Sequence, residues 1–280
     1  MREIDVTLAE SRVLHAYDAG GSADDLPVMW LHGTPNIGAP PAPLFESAAR
    51  LGLRWVSYDR PGYGGSAARP GRNFASAVAD VARVAEALDV ERLAVMGHSS
   101  GGPHALACGA LLPERVTAVV SVSGLAPYSA DDLDWFAGMA PPAAASLRAA
   151  AEGREAKERY VASAPEEDPG FVVADHEALA GDWGWFLDVV RPAIAAGPTG
   201  LIDDDLANVA EWGFDAASVA APVLIQHGEA DRMIPIGHAE WLARRCPTAE
   251  LRRYPGDGHV SVMRHAVDAL EWLRARADQA

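Results

Sequence analysis

The segment Gly97-His98-Ser99-Ser100-Gly101 constrains this chain more than any other. It stands between the apolar run Leu93-Ala94-Val95-Met96 and a helical stretch from Gly102 to Leu112, so it reads as strand, sharp turn and helix with Ser99 at the apex. Such a turn needs small neighbours, because a Cβ would crowd a strained backbone, and Gly97 and Gly101 supply them. The arrangement lifts one hydroxyl clear of a strand end, where it can act as a nucleophile. On composition alone a G-x-S-x-G pattern would arise in roughly one chain in ten of this length. Its setting, between a strand and a helix with partners downstream, makes it specific.

A serine hydroxyl is a poor nucleophile until a base takes its proton, and that base needs an orienting acid. The chain has nine histidines, and context selects among them. His259 follows Tyr254-Pro255-Gly256-Asp257-Gly258, a glycine-bearing loop between the last apolar strand and the final helix. The acid candidate is Asp231, in Gln226-His227-Gly228-Glu229-Ala230-Asp231, again after a strand; Glu229 and Asp257 are its rivals. The run Val116 to Val122 is followed by Ser123-Gly124, which offers no acid, and this favours Asp231. The order is then Ser99, Asp231, His259.

An oxyanion needs preorganised donors, each typically contributing ~2.7–4 kcal/mol of barrier lowering. Leu31-His32-Gly33-Thr34-Pro35 follows an early strand, so the Thr34 amide is one expected donor. The Ser100 amide, at a helix N-terminus with its partial positive charge, is the other. His32 is expected to hold this loop, not to act chemically.

The pattern around these motifs is α/β. Ile4 to Leu8 and Val13 to Tyr17 alternate polar and apolar residues, as an antiparallel entry hairpin does. Val28 to Leu31, Trp55 to Tyr58, Leu93 to Met96, Val116 to Val122, Val223 to Ile225 and Leu251 to Tyr254 are short, mostly apolar runs. Such strands suit a sheet covered on both faces. Helical patterns separate them at Ala42 to Leu51, Phe74 to Leu88, Gly102 to Leu112, Ile236 to Arg245 and Val260 to Arg276. This predicts a mostly parallel central sheet of about eight strands flanked by helices. The alternation breaks over 125–218, which predicts a helical insertion, with helices at Ala143 to Ser163 and His176 to Ala195. Residues 1–124 and 219–280 then form the core domain.

Composition narrows the partners. The net charge of −16 repels phosphate backbones and anionic lipid surfaces, so nucleic acid is excluded as an expected partner. Cys108 and Cys246 lie in no metal-ligand or C-x-x-C spacing, and Cys108 reads as a buried small hydrophobe. No uncharged apolar run reaches a membrane-spanning length, and the N-terminus lacks a basic region before an apolar core. A soluble cytoplasmic protein is the default expectation.

His32-Gly33-Thr34-Pro35, Asp59-Arg60-Pro61-Gly62-Tyr63-Gly64-Gly65-Ser66, the Ser99 turn, His227 to Asp231 and Gly258-His259 together resemble the α/β-hydrolase superfamily from about residue 3 to 276. The resemblance implies Ser99 as nucleophile, His259 as base and Asp231 as orienting acid, with the insertion in the place of a cap domain. It implies a structural loop at Asp59 to Ser66. Members that displace halide or open epoxides carry aspartate at the turn, so Ser99 favours acyl transfer. Proline iminopeptidases often read His-Gly-Gly-Pro-Gly where this chain has His-Gly-Thr-Pro-Asn. The implied activity is a cofactor-free serine hydrolase acting on a small carboxylic ester or related acyl compound. Aminopeptidase, lactonase, thioesterase and C–C bond hydrolase activities stay open on the same residues. So do an acyltransferase and a receptor-like protein with little turnover.

Other features weigh less. Trp135, Trp183, Trp185 and Phe186 in the insertion are candidate substrate-binding residues, and equally candidate core of that insertion. Asp203-Asp204-Asp205 lacks the spacing and glycine of an EF-hand loop and reads as a solvated helix start, with binding of a substrate amine as the alternative. His176-Glu177 fails the H-E-x-x-H pattern at position 180. Gly62-Tyr63-Gly64 lacks the third glycine of a dinucleotide loop, so no nucleotide cofactor and no metal are expected. His98, His104, His227 and His238 flank motifs and read as structural.

Overall fold

The computed structural model describes residues 1–165 and 167–277; the last three residues of the segment 219–280 lie outside them. The chain opens on an antiparallel hairpin, β1 (Arg2–Thr7) and β2 (Val13–Asp18), joined through a short 3-10 turn at Ala9–Ser11. Strand and helix then alternate: β3 (Leu26–Leu31), α1 (Phe45–Arg50), β4 (Leu53–Tyr58), α2 (Phe74–Ala87), β5 (Leu93–His98), α3 (Gly101–Leu111) and β6 (Val116–Val122). After a helical segment the alternation resumes with β7 (Val223–Gly228), α9 (Gly237–Arg245), β8 (Ala249–Tyr254) and α10 (Ala266–Ala277).

The eight strands form one sheet in the order β1-β2-β4-β3-β5-β6-β7-β8. β2 meets β4 antiparallel, and every pairing from β4 to β8 is parallel. Alternate strand residues feed opposite faces. Met29, Leu31 and Val95 join one core cluster with Phe74, Val81 and Leu106 of α2 and α3. Val28, Trp30, Ala94 and Met96 join the other with Ala48 of α1 and Leu270 of α10. Burial on both faces is why these strands read as unbroken apolar runs.

The strand order reverses between β3 and β5, since β4 lies on one side of β3 and β5 on the other. In an open parallel sheet this leaves a crevice beyond the carboxyl ends of the two strands. Leu31 pairs with Gly97 in register, so the loops carrying Thr34 and Ser99 leave the sheet side by side. β7 and β8 also pair to their last residues, Gly228 with Tyr254, which sends the Asp231 and His259 loops off the same edge.

Among the described residues, 123–222 contains no strand. It holds α4 (Pro141–Ala151), α5 (Arg154–Ser163), α6 (Val173–Ala180), α7 (Trp185–Ala195) and α8 (Thr199–Val209). The expected helix over 143–163 is two helices, because Gly153 takes a left-handed φ of +111° between α4 and α5. The expected helix over 176–195 is interrupted at Gly181 and a 3-10 turn, Asp182–Gly184. Among the described residues, no helix is long and apolar enough to cross a membrane. Cys108 and Cys246 are both buried free thiols.

Candidate active site

Ser99 sits where β5 breaks into α3. Its φ is +56°, a left-handed conformation that costs a non-glycine residue energy unless the surroundings impose it. They do impose it here. The Ser99 amide donates to the Val122 carbonyl of β6 at 2.8 Å, and its own carbonyl accepts from Gly102 at 2.9 Å. A Cβ on Gly97 would strike the Gly101 carbonyl, and one on Gly101 would strike the Leu31 carbonyl. Only glycine lets the turn close this tightly against β3. On the other side, a Cβ built on Gly33 would lie 3.3 Å from that of Ser99, so the loop after β3 rests directly on the candidate nucleophile.

His259 and Asp231 meet across the ends of β7 and β8. The His259 Nδ1 donates to the Asp231 Oδ2 at 2.8 Å, with both residues buried. The other carboxylate oxygen accepts the Met233 and Ile234 amides, each at 2.9 Å. With Nδ1 protonated, Nε2 of the neutral ring is the free basic nitrogen. Burial presses the His259 pKa down, but the Asp231 carboxylate outweighs it and, with Asp175 adding, leaves it above the ordinary 6.5. Burial likewise presses the Asp231 carboxyl up, and the charge and hydrogen bond of His259 carry it below its ordinary 3.8. Asp231 therefore stays ionised and keeps the imidazole in one tautomer.

His98 links the turn to His259. Its Nε2 donates to the His259 carbonyl at 2.9 Å, and the two rings lie 4.9 Å apart. Burial first, and then the charge of His259, push His98 down to about 3, so it stays neutral. His227 donates to the Ile234 carbonyl at 2.7 Å and lies 3.6 Å from Asp231, which makes it part of the scaffold around the acid.

The loop carrying Thr34 is held from two directions. His32 accepts the Arg60 amide on Nε2 at 3.0 Å and donates from Nδ1 to the Gly33 carbonyl at 2.8 Å. The Arg60 guanidinium donates to the His32 carbonyl and, at 3.2 Å, to that of Gly33. From α8, Asp204 accepts the Thr34 hydroxyl at 2.5 Å and the Tyr63 hydroxyl at 2.9 Å. Four residues on, Asn208 Oδ1 accepts the Ser100 hydroxyl at 3.1 Å. One face of α8 thus reaches both residues whose amides are the candidate oxyanion donors. The first amides of α3 have no partner within the helix, which leaves that of Ser100 available to an anion.

The three aspartates of α8 overturn the reading of a solvated helix start. Asp203, Asp204 and Asp205 are only 2%, 0% and 8% exposed. Four cations face them: Asp203 pairs with Arg154, Asp204 with Arg60 and Arg72 at 2.6 Å each, and Asp205 with Lys157 at 2.6 Å. Burial alone would raise the Asp204 carboxyl, but the two guanidinium groups hold it well below the carboxylate range. No pattern in the sequence exposes this, because Asp204 is 144 residues from Arg60. Asp59, beside Arg60, accepts the Gly38 and Gly65 amides and the Tyr17 hydroxyl, so that loop is a scaffold as expected.

The aromatic candidates of 125–218 divide. Trp135 joins a small cluster with Leu125, Leu147 and Ile234 and donates from its indole to the Ala126 carbonyl at 2.9 Å. Trp183 and Phe186 are buried against the sheet cluster that contains Trp30, and Trp185 is half-buried beside them. The Phe186 ring lies 5.0 Å from that of His98, which itself lies 4.9 Å from that of His259.

Comparison with known proteins bears on the fold. A family profile described as alpha/beta hydrolase fold matches residues 27–266. The chain is 28% identical over 259 residues to a non-heme chloroperoxidase of Streptomyces lividans, covering 89% of this chain and 90% of that one. It is 37% identical over 83 residues to the pimeloyl-[acyl-carrier protein] methyl ester esterase of Aromatoleum aromaticum, 29% of this chain. The chain spans about a third of the length of that relative and of one other curated protein it matches. A thermophilic esterase from Thermogutta terrifontis superposes with a TM-score of 0.69 over 99% of this chain and 100% of that one, at 20% identity.

Proposed function

This chain belongs to the alpha/beta hydrolase fold family, and we propose that within it the protein is a serine hydrolase cleaving a small carboxylic ester or related acyl substrate. The observation that carries the reading is the buried 2.8 Å bond from His259 to Asp231, beside a turn that holds Ser99 at positive φ. Ser99 Oγ attacks the substrate carbonyl as His259 Nε2 takes its proton. The oxyanion that forms accepts from the Thr34 and Ser100 amides. Collapse breaks the ester bond, and His259 returns the proton to the departing alcohol. Water, deprotonated by His259, then attacks the acyl-enzyme and releases the acid and free Ser99.

Residues 125–218 act in this reading as a cap over the carboxyl ends of the strands. Phe186 and Trp185 bound the acyl pocket, while Trp135 and Trp183 stabilise the cap that forms it. The name of the esterase relative supports an ester substrate.

Treating the folded protein with a fluorophosphonate probe and mapping the adduct by peptide mass spectrometry tests the reading. Labelling at Ser99 that disappears in His259→Ala is expected, together with turnover of short-chain, aryl or lactone esters. Esterase turnover that persists in Ser99→Ala would overturn it.

The chloroperoxidase relative, aligned over most of both chains, favours a second reading. Hydrogen peroxide in place of water at the acyl-enzyme would release a peracid and free Ser99. Peracid formation from an ester with added peroxide tests this branch.

A further inference from the structure

Asp175 lies in the first turn of α6, inside the helical segment, yet its carboxylate is directed at the loop that carries the base. It is 1% exposed. Its Oδ1 accepts the Val260 amide at 2.8 Å, the Ser261 amide at 2.8 Å and the Ser261 hydroxyl at 3.0 Å. Its Oδ2 accepts the His259 amide at 3.2 Å and the Val172 amide at 3.1 Å. Three consecutive amides of the His259 loop therefore end on one side chain from the insertion. Ser261 closes the arrangement, its hydroxyl accepting the Gly258 amide at 2.7 Å. Gly258 has no Cβ for a physical reason: one would collide with Asp175 Oδ2 and crowd Val172.

Every polar handle on His259 other than Nε2 is then fixed by a different element. Its amide is held by Asp175 of α6, its carbonyl by His98 of β5, and its Nδ1 by Asp231 of the loop after β7. A carboxylate accepting several amides also brings a full negative charge into a buried space, where charges are weakly screened. The titratable groups facing His259 are Asp231, Asp175 and His98, with His227 reaching it through Asp231. Asp175 favours the protonated imidazole, and neutral His98 adds no opposing charge at working pH.

We propose that Asp175 is a positioning residue for His259: the helical insertion supplies a carboxylate that fixes the base's backbone and its electrostatic setting, so the base is correctly placed only while α6 is docked. This rests on the serine-hydrolase reading above. It makes the insertion part of the catalytic apparatus as well as a wall of the pocket. A base displaced by about 1 Å loses on the order of 10²-fold in rate.

The test uses the full chain and two readouts: the rate of fluorophosphonate labelling at Ser99 between pH 5 and 9, and kcat and KM for an aryl acetate. In Asp175→Asn the expected result is labelling still confined to Ser99 but slowed about 10²-fold. The loss falls on kcat with KM little changed, and the acid limb moves to lower pH. A folded variant with the wild-type rate and limb overturns the proposal, as does a loss confined to KM. Should Asp175→Asn fail to fold, Ser261→Ala decides. It removes one donor to Asp175 and the acceptor for Gly258, so slower labelling supports the proposal and wild-type labelling overturns it. A wild-type chain that leaves Ser99 unlabelled overturns the serine-hydrolase reading and this proposal together. A labelled wild type with an unaffected variant overturns only the role of Asp175.

Discussion

Thr34, on the loop after β3, donates its hydroxyl to Asp204 on α8 across 2.5 Å, joining residues 170 positions apart in the chain. The same carboxylate pairs with Arg60 and Arg72, and Arg60 in turn grips the His32 and Gly33 carbonyls. A helix of the insertion and the candidate oxyanion loop are thus parts of one buried network. Removing one member of such a network strands the others, which costs more than the pairing itself contributed.

Asp204→Ala leaves two buried guanidinium groups without their carboxylate, and we expect it to lower the unfolding free energy by about 3–5 kcal/mol. Urea denaturation measures this, and a loss under about 1 kcal/mol would contradict the pairing's structural role. The Asp204 pKa is depressed, so its contribution is present above the ordinary 3.8 and lost as pH falls through the lower folded value.

As the proposed base, His259 acts only when neutral, and its pKa is raised. We therefore expect kcat/KM for an ester to fall on the acid side with a midpoint above 6.5 and a slope of one, since His98 is already neutral there. A rate that is flat from pH 5 to 8 would remove His259 from the role. Stability runs the other way. What the His259–Asp231 pair contributes is full between the ordinary 3.8 of Asp231 and the ordinary 6.5 of His259; it is lost as pH rises through the raised His259 value or falls through the lowered Asp231 value.

Asp231→Asn keeps the size of the side chain but removes the charge that sets the imidazole tautomer. We expect kcat to drop about 10⁴-fold with far-ultraviolet circular dichroism unchanged. A variant within tenfold of the parent would point to another orienting acid, with Glu229 and Asp257 the first to examine.

Gly97→Ala forces a methyl group against the Gly101 carbonyl, and backbone against backbone cannot give way as a flexible side chain can. We expect a loss of about 1–3 kcal/mol or more, together with loss of fluorophosphonate labelling. Normal labelling at normal stability would mean that the turn has room it does not display.

Local pattern carried the architecture a long way. Five of the six strands in the parallel part of the sheet, β3 to β7, are legible because they are largely apolar and buried on both faces; the edge strand β8, Ala-Glu-Leu-Arg-Arg-Tyr, is only half-buried. The helices of the core are legible from other signals: α2 and α9 each offer one apolar stripe, whereas α3 is buried continuously from Gly101 to Gly109. The insertion is harder. Gly153 and Gly181 sit in stretches rich in helix formers, and only the chain path reveals that they end helices. The burial of α8 escapes, because three adjacent aspartates read as a solvated helix start when their partners are out of view.

What the sequence determined by itself is the order of chemistry-bearing loops along the chain. Ser99, Asp231 and His259 each follow a strand, Gly97 and Gly101 flank the turn, and Thr34 follows β3. These are local facts, fixed by turn geometry and by periodicity over a few residues. The tertiary structure alone decided what surrounds them. It set Asp175 under the His259 loop, Asn208 on Ser100, and Asp204 between Arg60, Arg72 and Thr34. The physical reason is that a buried charge is tolerable only beside its partners, and those partners are chosen by proximity in space, which spacing along a chain does not encode.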